Sequence, residues 1–194
     1  LGGDVLLNNT TGERNTGLGQ NSLNSNTTAS NNTSVGASAL HANTTGANNV
    51  AVGTFALDDN TTADNNTAIG HGALFVNTTG GNNVAVGTFA LDALTTAGPN
   101  EALGVNALGA CTTGNFNSAF GNGSLGNVTT GQRNAGIGIN SGQNITTGST
   151  NTCLGIDAGQ TLETGSNNTF VGFGAGIGAS TSQANEIILG NSSI

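Results

Sequence analysis

The sequence has no Lys, Met, Trp or Tyr, a single Pro, and Arg only at Arg14 and Arg133. Two cationic side chains in 194 residues cannot neutralise a phosphate backbone, so no nucleic-acid partner is expected. Charged residues make up 6% of the chain, against about 25% in an average soluble domain. No apolar run approaches the roughly 20 residues of a membrane span. No stretch has the layout of a secretory leader, and a chain without Met is expected to be a processed product or an excised segment. Disorder usually combines high net charge with few branched apolar residues, whereas here the net charge is −8 and the hydrophobic content 35%.

What the chain does contain is 33 Gly, with many Asn and Thr, in a fixed order. Asn15, Asn32, Asn49, Asn66, Asn83, Asn100, Asn117, Asn134, Asn151, Asn168 and Asn185 recur every 17 residues. Such a period is the signature of stacked repeats. Counting positions from this Asn, position 5 is always Gly: Gly19, Gly36, Gly53, Gly70, Gly87, Gly104, Gly121, Gly138, Gly155 and Gly172. Position 4 is always apolar, from Leu18 and Val35 to Leu154 and Val171, and position 8 is always Ala or Ser. Position 9 is Leu from Leu23 to Leu125, then Gly142, Gly159 and Gly176. Thr-Thr fills positions 13 and 14 from Thr27-Thr28 to Thr146-Thr147. The chain divides into a partial coil or strand at 1–14, ten repeats at 15–184, and a strand or connection at 185–194.

Gly at this density opposes a helix by about 1 kcal/mol per site. Short β-branched segments such as Asn49-Val50-Ala51-Val52 predict two strands per repeat, with a corner at the position-5 Gly and a turn at Asn-Thr-Thr-Gly. The invariant Gly is expected at positive φ or at a close approach of two backbones. The invariant Asn is expected to stack as an amide ladder from coil to coil. The fold class is therefore an all-β parallel β-solenoid, or β-roll, of ten 17-residue coils, forming a rod of about 50 Å.

Strand alternation assigns position 4 to the interior, supported by Leu at position 9. Position 3 should then face outward, yet it is nearly always small: Ala51, Ala68, Ala85, Ala102, Ala119. A small outer face suggests close approach to another surface, and so a homotrimer about the long axis; the plainer reading is that small residues fit a narrow coil. Both ends, Leu1 to Leu7 and Asn185 to Gly190, read as apolar strands without caps, which suggests end-to-end pairing into a filament or removed neighbouring domains.

The segments Asn49-Val50-Ala51-Val52-Gly53, Asn66-Thr67-Ala68-Ile69-Gly70 and Asn83-Val84-Ala85-Val86-Gly87 resemble the head repeats of trimeric autotransporter adhesins and the repeats of phage and viral tail fibres. Ala184 to Asn191 resembles the passage of such fibres into a following domain. The resemblance covers nearly the whole chain, although this repeat is a few residues longer and carries an extra Asn-Thr-Thr-Gly turn. It implies left-handed β-rolls that trimerise, a surface for attachment, and a place outside the cell, on a cell or virion surface.

Chemistry-bearing residues are few. His41 and His71 sit at different repeat positions and read as solvated side chains rather than metal ligands. Asp58, Asp59, Asn60 and Asp64 form one acidic loop that does not recur, unlike a calcium-binding repeat. Gly172, Gly174, Gly176 and Gly178 are repeat positions, with no Lys and no following helix to make a phosphate loop. Cys111 and Cys153 lie about two and a half coils apart, roughly 12 Å along the axis, too far for a disulfide within the chain, and read as buried thiols. No cofactor, metal or catalytic set is indicated, and no enzymatic activity is expected.

Asn9, Asn26, Asn43, Asn60 and Asn77 begin Asn-Thr-Thr sequons and are candidate glycosylation sites, although the turn itself spells the sequon. The function indicated is a structural, fibre-forming rod. The alternative is a surface-binding module for ice or glycan, with Thr pairs as one candidate array and Phe55 and Phe89, at position 7, as an outer stripe.

Overall fold

In the computed structural model of the protein, residues 2–190 are described; Leu1 and residues 191–194, the last four of the expected carboxyl-terminal segment, lie outside the described residues. Every repeat closes one coil and contributes one three-residue strand. These are β1 (Thr16–Leu18), β2 (Thr33–Val35), β3 (Val50–Val52), β4 (Thr67–Ile69), β5 (Val84–Val86), β6 (Glu101–Leu103), β7 (Ser118–Phe120), β8 (Ala135–Ile137), β9 (Thr152–Leu154), β10 (Thr169–Val171) and β11 (Ile187–Leu189). They form a single parallel sheet in sequence order, so each coil stacks on its predecessor. The fold is a β-solenoid.

The expected second strand is absent. Positions 6 to 11 of each coil are consecutive turns, in which non-glycine residues repeatedly take positive φ: Phe55 at 59° and Leu57 at 55° in one coil, Phe89 at 55° and Leu91 at 53° two coils on. Residues 3–8, expected as a strand, are turn as well. The turns still stack: Leu40 N–H donates to Ala56 O at 3.0 Å, and Ala42 N–H to Asp58 O at 2.9 Å. The left-handed residues cost local strain that the stacked hydrogen bonds and the buried Leu offset.

Position 5 explains itself. Gly70 has φ 136°, and a Cβ there would lie 2.5 Å from the carbonyl oxygen of Gly87 in the next coil. Adjacent coils meet backbone to backbone at this corner, where only Gly fits.

The interior belongs to position 3, which overturns the assignment of position 4. Ala51, Ala68, Ala85, Ala102 and Ala119 are fully buried, together with Ala or Ser at position 8, Leu at position 9 and the side chain at position 12. Leu18, Ile69, Leu103, Phe120, Ile137 and Leu154, all at position 4, are exposed, Ile137 at 48%. A 17-residue coil is too narrow for branched side chains on both its strand and its turn segment, so the strand contributes methyl groups and the turn contributes Leu. Small residues at position 3 therefore reflect the narrow coil and not a partner surface. Where position 8 is Ser, the hydroxyl is satisfied internally, as in Ser124 Oγ donating to Gly136 O at 2.9 Å.

The 17-residue register holds from β1 to β10 and then slips. Thr169 pairs with Ile187 and Val171 with Leu189, an offset of 18. Asn185 consequently is not the next rung of the Asn series. It takes a positive φ of 59°, close to the 60° of Asn167 at position 17, and Glu186 occupies the rung instead, its N–H donating to Asn168 Oδ1 at 3.0 Å.

Candidate functional surface

The position-1 Asn side chains run as a ladder inside the rod. Asn66 Oδ1 accepts the N–H of Asn83 at 2.9 Å, while Asn66 Nδ2 donates to Gly80 O at 2.9 Å and so closes its own coil. The pattern begins with Asn15, whose Oδ1 accepts from Asn32 N–H at 3.0 Å, and continues to Asn168, whose N–H donates to Asn151 Oδ1 at 3.0 Å. Asn32, Asn49, Asn83, Asn100, Asn117, Asn134 and Asn151 occupy the same interior place.

Position 12 forms a second interior ladder. Asn26, Asn43 and Asn60 each donate through Nδ2 to the Oδ1 of the Asn one coil earlier, at 2.8, 3.0 and 2.7 Å, and Asn43 Nδ2 also donates to Gly46 O at 2.9 Å. Asn9 lies half-buried, its Nδ2 donating to Gly12 O at 3.0 Å. As glycosylation sites, Asn26, Asn43, Asn60 and Asn77 are corrected: their Nδ2 atoms are interior hydrogen-bond donors, and the folded coil leaves no room for a glycan. From Leu94 onward the position turns apolar, with Cys111, Val128, Ile145 and Leu162 all buried. Asn77 Oδ1, facing that change, is buried without a donor.

The two Thr of the turn are not equivalent. Thr44 Oγ1 donates to Thr61 O at 3.0 Å, and Thr61 Oγ1 to Thr78 O at 3.1 Å, so position 13 is tied into the stack. Position 14, from Thr28 to Thr164, is exposed as a single column. Only one of the two Thr thus presents a free hydroxyl, which is a row and not a flat array.

The titratable groups are scattered. His41 Nδ1 lies 3.7 Å from Asp58 Oδ1, one coil away in the position-10 column. Burial raises the Asp58 carboxyl above its ordinary value; His41 opposes this and Asp59 adds to it. His71 stands apart, packed edge-on against Phe55 and Phe89 with ring centroids 6.1 and 5.1 Å away. Among the described residues, no three His, Cys, Asp or Glu side chains converge as a metal site. Cys111 and Cys153 are free and buried, and burial pushes their thiols up to about 11 and about 12. In the run from Gly172 to Gly178, a Cβ on Gly176 would meet the Phe170 ring and one on Gly172 the backbone of Gly190, so these glycines pack against the chain itself.

Two surface features lie along the position 7 to position 10 edge: the aromatic stripe expected from Phe55 and Phe89, which Phe75 and His71 extend, and a polar notch that the sequence reading missed. Phe55, Phe75 and Phe89 form an exposed aromatic patch with His71, around a cleft of about 150 Å³ left open by Gly72. Beyond it, Gly109 and Gly126 interrupt the position-10 column and open a polar notch of about 410 Å³, bounded by Asp92 at one end and Gln143 at the other, with Asn106 and Asn122 beside it. The signal was legible: position 10 reads His41, Asp58, Phe75, Asp92, Gly109, Gly126, Gln143, Gln160, and two consecutive Gly in a column of large side chains leave a gap.

The sheet offers the broadest surface. Positions 2 and 4 point outward from every strand, and position 4 is apolar without exception. No helix among the described residues is long and apolar enough to cross a membrane. No family model, curated protein or solved structure matches the chain.

Proposed function

We propose that this protein is a non-enzymatic structural rod that self-associates as a homotrimer through the outer face of its sheet, serving as a segment of an extracellular fibre or adhesin shaft. The observation that carries this reading is the exposed position-4 column. Leu18, Ile69, Leu103, Phe120, Ile137 and Leu154 stand in one line parallel to the rod axis, with Val at the intervening coils. Three-residue strands stacked over eleven rungs make a face on the order of 500 Å²; its position-4 half is apolar throughout, while its position-2 half is largely polar, with Thr16, Thr33, Thr67, Glu101 and Ser118. An apolar column of this size is often a functional contact surface. A straight column suits cyclic symmetry, because three copies turned about a parallel axis bring the same side chains together.

Low charge supports close packing of the copies, since few groups would need desolvation. The coil-to-coil hydrogen bonds supply stiffness along the axis. The setting outside the cell is supported by the resemblance to adhesin heads and tail fibres. Electron microscopy of negatively stained protein tests the reading: class averages should show short rods with three-fold end views. Single, unassociated solenoids at micromolar concentration would contradict it.

A further inference from the structure

The notch between Asp92 and Gln143 is built differently from the rest of the rod surface. Its floor is Gly109 and Gly126, where the backbone lies open to solvent because the column loses two side chains in succession. Its walls carry primary amides from Asn106, Asn122 and Gln143, none of which bonds to another side chain, so each has a free donor pair and a free acceptor. The backbone offers no strand edge to a peptide. Ala110 N–H donates to Gly126 O and Asn127 N–H to Gln143 O, both at 3.0 Å, and Gly109 N–H to Asn106 O at 3.2 Å.

Charge narrows the ligand further. The chain has only two cationic side chains, Arg14 and Arg133, and both sit at position 17, away from the position-10 column. Nothing beside the notch would neutralise a phosphate, sulfate or sialic acid, while Asp92 would repel them. A cavity of about 410 Å³ falls within the usual range of roughly 300–1,000 Å³ for small-ligand sites. One coil before Asp92 in the same column stands Phe75, and Phe89 lies in the same coil as Asp92, so the notch continues into an aromatic surface.

From this geometry we infer that the notch and the adjoining Phe75 and Phe89 form a binding site for a neutral oligosaccharide. One sugar unit lies in the notch, its hydroxyls exchanging hydrogen bonds with Asn106, Asn122, Gln143 and Asp92. The next unit lies its apolar C–H face on the Phe rings. Planar amides on a rigid scaffold suit hydroxyl pairs, and exposed aromatic faces suit the ring plane. The site needs only one chain and does not use the outer face of the sheet, so it stands whether or not the rods trimerise.

The test is saturation-transfer-difference NMR on the whole chain with maltotetraose, cellotetraose, xylotetraose and chitotetraose, and with 3′-sialyllactose as the acidic comparison. At least one neutral tetrasaccharide should bind with Kd of about 1 mM or tighter, and bind more tightly than sialyllactose. The double variant Gly109→Gln, Gly126→Gln fills the notch with the residue that Gln143 and Gln160 already supply in this column. Neither Gly has positive φ; an added Cβ would lie 3.4 Å from its nearest atom at Gly109, and at Gly126 it would lie 3.1 Å from the Gly123 carbonyl oxygen, which must give by a few tenths of an ångström, so thermal melts of the variant accompany the binding measurement. That variant should weaken binding by about tenfold or more. Asn122→Ala, which trims an exposed amide without touching the core, should weaken it by a few-fold. Absence of transfer from all four neutral sugars at about 10 mM, unchanged binding by the filled variant, or preference for sialyllactose would each overturn the inference.

Discussion

The ring of Phe170 occupies the space that a side chain at Gly176 would need. A Cβ on Gly176 would lie 2.5 Å from Phe170 Cδ1. In the coil of β3 the same two positions are held by Ala51 and Leu57, both fully buried. In the Phe170 coil the strand thus supplies the core bulk that the turn supplies elsewhere; the two coils before it carry small residues at both positions, Gly136 with Gly142 and Cys153 with Gly159, a Cβ on Gly159 coming within 2.5 Å of Cys153 Sγ.

This exchange predicts non-additive mutations. Phe170→Ala should cost about 3–5 kcal/mol by opening a cavity. Gly176→Leu should cost about 1–3 kcal/mol by overpacking against the ring. The double variant recreates the Ala51 and Leu57 arrangement, so its destabilisation should fall short of the sum by at least about 1 kcal/mol. Urea denaturation of the four proteins measures the coupling; strict additivity would contradict the exchange.

Glycines at two kinds of position should answer differently to Ala. Gly70→Ala meets the backbone of Gly87 at positive φ and should cost about 3 kcal/mol or more. Gly109→Ala, without positive φ and with an added Cβ no closer than 3.4 Å to any neighbour, should be neutral or stabilise by up to about 1 kcal/mol. Thermal melts of the two variants distinguish them directly.

The ladders predict where a polar side chain matters. Asn66→Ala leaves the buried Asn83 N–H without its acceptor and removes a donor from Gly80 O, for a loss of about 1–3 kcal/mol. Leu94→Asn would extend the position-12 ladder and give the orphaned Asn77 Oδ1 a donor. It should therefore destabilise less than Leu108→Asn, which buries an amide with no ladder to join. Equal losses at Leu94 and Leu108 would contradict this account of the orphan.

The thiols set an alkaline limit. Burial raises both from an ordinary 9.0, to about 11 for Cys111 and about 12 for Cys153. A raised pKa in the fold means that this stability is fully present below pH 9.0 and is lost as pH rises through about 11 to 12. Denaturation midpoints should fall over that window, and less steeply in Cys111→Ala, Cys153→Ala. At pH 8 a thiol reagent should leave the folded chain unmodified and label both residues after unfolding. The same sign applies to Asp58, whose raised carboxyl makes Asp58→Asn a stabilising change at neutral pH.

The period, the Asn and Gly positions and the solenoid itself could be read from the chain because each coil repeats the same local chemistry. The face assignment could not be read by polarity. Apolar residues such as Ile69 and Leu103 are not obliged to be inside, whereas the uniform smallness of Ala51, Ala68 and Ala85 reports a geometric limit. Volume, and not hydropathy, was the signal. The slip before β11 stayed hidden because Asn fills both position 17 and position 1 in several coils, as in Asn167-Asn168, so Asn185 continues the 17-residue count while the hydrogen bonds move to Glu186. The notch escaped because it is defined by side chains that are missing at Gly109 and Gly126.

Sedimentation equilibrium of the wild-type chain beside Ile69→Glu, Leu103→Glu, Ile137→Glu tests the self-association most directly. All three residues are exposed on the single chain, so the triple variant should stay folded and lose only the concentration-dependent stabilisation that association gives the wild type. The wild type should sediment with three times the 18.8 kDa mass of one chain, and the variant with the mass of one. A wild-type chain of single mass at about 100 μM, where an association of micromolar Kd would be nearly complete, or a variant that still trimerises, would contradict the assignment of this face as the interface.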